Sequence, residues 1–125
     1  MEKARRDVMN SLIYAYIGDA IYEIILREYF VLKKVGKVND LQKIVIKYVS
    51  AKGQVQMLEK IWENLTEEEI NVVNRGKNHN QIRHPKNTDI VTYKKATGFE
   101  ALIGYLYLSN KERLEELKEI IYQNL

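Results

Sequence analysis

The sequence predicts an all-α protein. Long stretches carry apolar residues at helical spacing, first of all Leu12, Ile13, Tyr16, Ile17, Ala20, Ile21, Ile24 and Ile25 within Ser11–Phe30. Helix-start signatures recur, with Thr66 followed by Glu69 and Ser109 followed by Glu112. A single proline and six glycines leave room for long helices. No segment alternates strongly enough to be read as a strand, and there is no internal repeat. About six or seven helices are expected in one domain spanning residues 1–125.

Residues 1–9 read as a polar lead-in. The first helix follows from about Asn10 to Leu32 and ends at Lys33, Lys34 and Gly36. Asn39 is the expected N-cap of a second helix, with Leu41, Ile44, Val45, Tyr48 and Val49 on one stripe. Ser50 caps a third, carrying Val55, Leu58, Ile61 and Trp62. Thr66 and Glu69 form a capping box, Leu65 and Ile70 a hydrophobic staple, and three glutamates favour the positive end of the helix dipole. This fourth helix should stop near Gly76 as a C′ residue. Lys77–Thr88 reads as a basic loop, polar, asparagine-rich and long for a compact domain, which marks it as functional. Thr88 or Asp89 then opens a helix to about Leu108. Ser109 with Glu112 starts a last one, with Leu114, Leu117, Ile120 and Ile121 turned inward.

Composition excludes several chemistries. The chain has no cysteine, which removes disulfides, thiol nucleophiles and cysteine-ligated metals. No apolar h-region lies in MEKARRDVMN. Asp19, Glu23, Arg27 and Glu28 interrupt the best apolar stretch, so no membrane span is expected and a cytoplasmic location is. The net charge is only +3, but Arg75–Lys95 holds six basic residues against one acid, Asp89. Such a local patch suits a polyanion. His79 and His84 lie in this stretch, but not at a helical i, i+4 spacing, and a ligand or solvent contact suits them better than a metal.

Two carboxylates stand out. Asp19 follows Gly18 inside the first helix. Glu100 sits between Gly98 and Gly104 in the apolar run Ala96–Leu108. An acid among core residues is costly without a partner. The glycines would let the two helices approach and bring the carboxylates face to face. Oxygen ligands without cysteine or histidine suit a hard cation, Mg²⁺ or Mn²⁺, which keeps several waters and finishes its shell with phosphate. A structural ion pair is the competing reading of the same residues.

At this point the residues resemble a family. Tyr16-Ile17-Gly18-Asp19-Ala20 and Phe99-Glu100-Ala101-Leu102-Ile103-Gly104 resemble the two acidic motifs of ribonuclease III catalytic domains. Arg75-Gly76-Lys77-Asn78 and Pro85-Lys86-Asn87-Thr88-Asp89 are similar to its short branch, Mini-ribonuclease III, which lacks a double-stranded-RNA-binding domain. The resemblance covers about residues 10–122. It implies a dimeric helical domain and a Mg²⁺-dependent endonuclease hydrolysing double-stranded RNA, with a role in processing 23S precursor rRNA during ribosome biogenesis. Asp19 and Glu100 would be both catalytic residues and metal ligands, with Mn²⁺ as a substitute metal. Arg75, Lys77, Asn78, Arg83, Lys86 and Asn87 would contact RNA. It also implies a homodimer cutting both strands and leaves open whether a ribosomal protein remodels the substrate.

Two positions depart from the wider family. Ala15 stands where a glutamate usually precedes the aspartate, and Thr97 where an aspartate usually precedes the glutamate. The short branch is similar in this reduced acid set. Glu23, one turn beyond Asp19, is a candidate additional ligand, direct or through water. The alternatives are a non-catalytic helical RNA-binding or ribosome-assembly module, and a helical interaction domain without nucleic acid.

Overall fold

The computed structural model describes residues 3–33, 36–79, 86 and 89–125, with side chains from residue 11 onward. The helices are α1 (Lys3–Leu32), α2 (Val38–Val49), α3 (Ala51–Ile61), α4 (Glu67–Lys77), α5 (Ile90–Ser109) and α6 (Lys111–Gln123). A 3₁₀ turn, Trp62–Asn64, follows α3 and takes Trp62 out of the α-helix expected to carry it. No strand occurs among the described residues.

The architecture is organised around α5. Ala96, Thr97, Gly98, Phe99, Ala101, Leu102, Ile103, Gly104 and Leu106 are all buried on it. A helix apolar on all sides must be surrounded. Accordingly α1 packs along it, α4 and α3 cover other sides, and α6 closes the end. Phe99, Leu102 and Ile103 meet Tyr22 and Leu26 from α1, Met57 and Ile61 from α3, and Leu117 and Ile121 from α6 in one core. The Tyr22 ring stands edge-to-face on Phe99 at 4.8 Å.

α1 is less buried than its composition suggests. Ser11, Ala15, Gly18, Tyr22, Ile25, Leu26 and Phe30 face inward, but Ile13, Tyr16, Ala20, Ile24 and Val31 are exposed. Apolar residues on both faces disguise which face the domain covers. The helix also starts earlier than expected. Lys3 to Asn10 continue it because Lys, Ala, Arg and Met are good helix formers and no breaker intervenes.

Several ends differ from the expectation. α2 begins at Val38, with Lys37 extended as its N-cap and its carbonyl accepting from the Asp40 and Leu41 amides, so Asn39 lies within the first turn. Gly76 does not end α4. It is buried inside the helix, where a Cβ would lie 2.9 Å from the Ala101 Cβ, and Asn78 is the C-cap. Asn110, not Ser109, caps α6 by accepting from the Arg113 amide at 3.1 Å. The Ser109 hydroxyl instead donates to the Tyr105 carbonyl at 2.6 Å. Ser50 caps α3, accepting from the Gly53 amide at 3.1 Å. The Thr66–Glu69 capping box is formed.

Glu69 does more than cap. It is 4% exposed and receives two parallel bonds from Arg113, Nε to Oε2 at 2.8 Å and Nη2 to Oε1 at 3.0 Å. Arg113 Nη2 also donates to the Asn64 carbonyl at 2.8 Å, tying α6 to the start of α4. Burial pushes the Glu69 carboxyl up, but hydrogen bonds from Arg113 and Thr66 outweigh it and hold the group below its ordinary value. Stability from a lowered carboxyl is present above the unfolded value and lost as pH falls through the folded one. Glu69→Gln keeps the shape and the cap but removes the charge. We expect a loss of about 2–3 kcal/mol at pH 7 by urea unfolding. The gap should narrow as pH falls below 4.5, where the unfolded carboxyl protonates, and on through the lower value of the folded one.

Candidate active site

α1 and α5 cross at glycines. A Cβ on Gly18 would run into the Glu100 carbonyl, and one on Gly104 into the Tyr14 carbonyl. Only hydrogen at both positions lets the backbones come this close. Asp19, next to Gly18, is exposed at this crossing, while Glu100 is half-buried beside it. The two carboxyls are close enough for Asp19 to push the Glu100 carboxyl up. Among the described residues neither has a cation as partner.

Asp19 and Glu100 line a cavity of about 680 Å³ together with Tyr16, Gln54, Tyr93 and Thr97. Ala15 is also on its wall. The Thr97 hydroxyl is turned back to the Tyr93 carbonyl at 2.9 Å. Gln54 donates from Nε2 to Glu100 Oε2 at 3.2 Å. Burial, then the hydrogen bond and charge of Asp19, push Glu100 up to about 8 against the opposing pull of Gln54. Burial and Asp19 thus favour the protonated form of Glu100.

Among the described residues no group of three or more His, Asp or Glu side chains is placed to hold a metal ion. Two convergent carboxyls with no opposing cation among the described residues, opening on a cavity, fit one hard divalent cation that completes its shell with water and substrate oxygens. Glu23 is not brought into this cavity. It is half-buried and pairs with Arg27 at 3.3 Å, one turn along the outer face of α1.

The basic stretch is only partly gathered. Arg75 and Asn78 are exposed at the end of α4, and Lys86 is exposed. Lys77, the last residue of α4 and not a loop residue, borders a second cavity of about 400 Å³ with Lys95, Asn74 and Trp62. Arg83 and Asn87 lie outside the described residues, as does most of the expected loop. His79 is half-buried and His84 also lies outside. Gln54 is a site residue that sequence reasoning misses. Its one signal is a grammar shared with Gly18-Asp19: a close-packed glycine, Gly53, immediately precedes it.

Comparisons with known proteins show the family of the chain. Residues 12–111 match the family described as Ribonuclease III domain. Mini-ribonuclease 3 of Brevibacillus brevis is 46% identical over 98% of this chain and 91% of its own. The Mini-ribonuclease 3 proteins of Clostridium tetani and Staphylococcus aureus are 48% and 45% identical, over 90% and 88% of this chain and 76% and 84% of theirs. The crystal structure of protein FN1578 from Fusobacterium nucleatum superposes with a TM-score of 0.76 at 39% identity, covering 89% of this chain and 87% of that one.

Proposed function

The chain belongs to the ribonuclease III domain family of endoribonucleases, and from that premise we propose that it hydrolyses double-stranded RNA with a divalent cation held by Asp19 and Glu100. The observation that carries this reading is the carboxyl pair itself, buried on one side, open on the other and without a counter-ion among the described residues. Mg²⁺ is the proposed cation, with Mn²⁺ as a substitute, because both prefer carboxylate and water oxygens. When bound, such a cation offsets the negative charge that develops on the phosphate during hydrolysis.

The residues of the chain supply the rest. Glu100, whose carboxyl is pushed up by burial and by the neighbouring Asp19, would hold the cation together with Asp19 and would do so as a carboxylate. Asp19, the more exposed of the two, lies where an incoming phosphodiester first meets the pair. The rigid α1–α5 crossing fixes both carboxyls relative to each other, so little reorganisation remains for the reaction step. Arg75 and Lys77 stand ready for phosphates, and Asn78 for ribose hydroxyls, as suits the shape-based recognition of A-form RNA.

The active form is a homodimer with one site per strand. What supports this is the row Ile13, Tyr16, Ala20, Ile24 and Val31, at spacings of three and four apart from the single step across Arg27. It runs about 27 Å along α1 and is exposed throughout. Tyr16 is 84% exposed and also lines the cavity, so this face adjoins the site. No described helix is long and apolar enough to cross a membrane. Structured precursor rRNA, including that of the large subunit, is the proposed substrate.

The test is cleavage of a long RNA duplex and of either strand alone, with Mg²⁺ or with EDTA. We expect the duplex alone to be cut, with 5′-phosphate and 3′-hydroxyl ends, and only with metal. A duplex that is bound but never cut, over a range of metals and salt, would establish a non-catalytic binding module instead. The patch is tested separately. Arg75→Ala with Lys77→Ala should weaken duplex binding about tenfold and lower the slope of log K against log salt by about two, while kcat stays unchanged.

A further inference from the structure

We propose that Gln54 is a positioning residue that fixes the Glu100 carboxyl for metal binding, an inference that rests on the metal-site reading above. Gln54 is 2% exposed, and both hydrogens of its amide are committed. One goes to the Val49 carbonyl at 3.1 Å, at the end of α2, and the other to Glu100 Oε2 at 3.2 Å. The Val49 carbonyl accepts in every protonation state, which sets the orientation of the amide with its nitrogen toward both acceptors.

That orientation leaves Oε1 buried with no hydrogen-bond partner. A buried polar atom without a partner destabilises the fold, and an apolar residue of similar shape would remove the penalty. The glutamine is therefore not explained by stability. Its backbone is held firmly, one turn after the Ser50 cap and directly after Gly53, whose Cβ would strike the Lys47 carbonyl. The α2–α3 corner thus presents a fixed, neutral donor to one oxygen of Glu100. Neutrality matters. A lysine or arginine here would hold the carboxyl equally well but would form an ion pair and repel a dication. An amide sets the rotamer and leaves the negative charge of the pair for the metal.

The test is Mn²⁺ binding measured without RNA, by calorimetric titration of the full chain, for wild type, Gln54→Met, Gln54→Leu and Asp19→Asn. Methionine keeps the length and removes the donor; leucine is a second apolar replacement should the first pack badly. We expect Mn²⁺ affinity to fall about 10–100-fold in both Gln54 variants. Duplex cleavage should lose kcat by a similar factor, with KM unchanged and the thermal midpoint equal to or above wild type. A purely packing role gives the reverse, a lowered midpoint with wild-type Mn²⁺ affinity in the folded protein, and overturns the proposal. If Asp19→Asn loses Mn²⁺ while both Gln54 variants keep it, the Gln54 inference alone fails. If Asp19→Asn also binds Mn²⁺ as wild type does, the metal-site reading fails and this inference falls with it.

Discussion

Gly104→Ala should unfold the protein or lower its stability by about 3 kcal/mol or more. Two effects of opposite sign meet at this position. Alanine in a helix interior is better than glycine by about 1 kcal/mol. Against that, the new methyl group would occupy the place of the Tyr14 carbonyl and come within 2.9 Å of Ile17 Cγ2. The Tyr14 carbonyl belongs to the α1 backbone and cannot rotate aside, so the two helices must separate. Separation also opens the packing of Tyr22 and Phe99 further along the crossing. Gly18→Ala meets the Glu100 carbonyl in the same way, so both substitutions should behave alike. Gly36→Ala is the control. There the nearest atom to an added Cβ is Asp40 Oδ2 at 3.9 Å, and stability should be unchanged or slightly higher. Urea unfolding of the three variants decides the matter, and a wild-type midpoint for Gly104→Ala would contradict the close crossing.

Asp19→Asn and Glu100→Gln should each lower duplex cleavage by about 10²–10⁴-fold, the range for removing a group that acts at the reacting centre. The effect on stability should run the other way for Glu100. A carboxyl whose folded pKa is raised binds its proton more tightly in the native state than in the unfolded one. Metal-free wild type therefore loses stability as pH climbs from the ordinary value of 4.5 toward 8. Glu100→Gln does not titrate. Without metal it should unfold at a higher temperature than wild type at pH 8, with the gap closing below pH 4.5. Near-complete loss of cleavage combined with increased metal-free stability is the signature of a functional carboxyl, because a structural one would lose both together. Equal losses of both would place Glu100 in the scaffold.

Much of the site is legible in the amino-acid sequence. Asp19 and Glu100 each interrupt an apolar run beside a glycine, and that combination predicts two helices crossing closely with acids at the contact. The Thr66–Glu69 box is also readable, since capping chemistry is local and its donors lie within one turn. What stays hidden depends on distant neighbours. Gly76 reads as a helix stop until Gly98 and Ala101 of α5 are seen against it. Ser109 and Asn110 are both good caps, and only the continuation of α5 through Ser109 chooses between them. Arg113 is 44 residues from Glu69, and nothing near either residue announces the bond. Gln54 looks like one of two ordinary surface glutamines in Lys-Gly-Gln-Val-Gln until the α2–α3 corner turns it inward. The exposed row on α1 is hidden for the opposite reason: its residues are as apolar as the core, so periodicity places them inside.

The most direct test of the central claim is calorimetric titration of Mn²⁺ into the wild-type chain at about pH 7, in two buffers of different ionisation enthalpy. The carboxyl pair should take one ion per chain and release about one proton for each ion bound, because Glu100 is pushed up to about 8 and must deprotonate for the metal. Glu100→Gln should bind more weakly and release no proton. Equally tight binding in Glu100→Gln would contradict a metal held by Asp19 and Glu100.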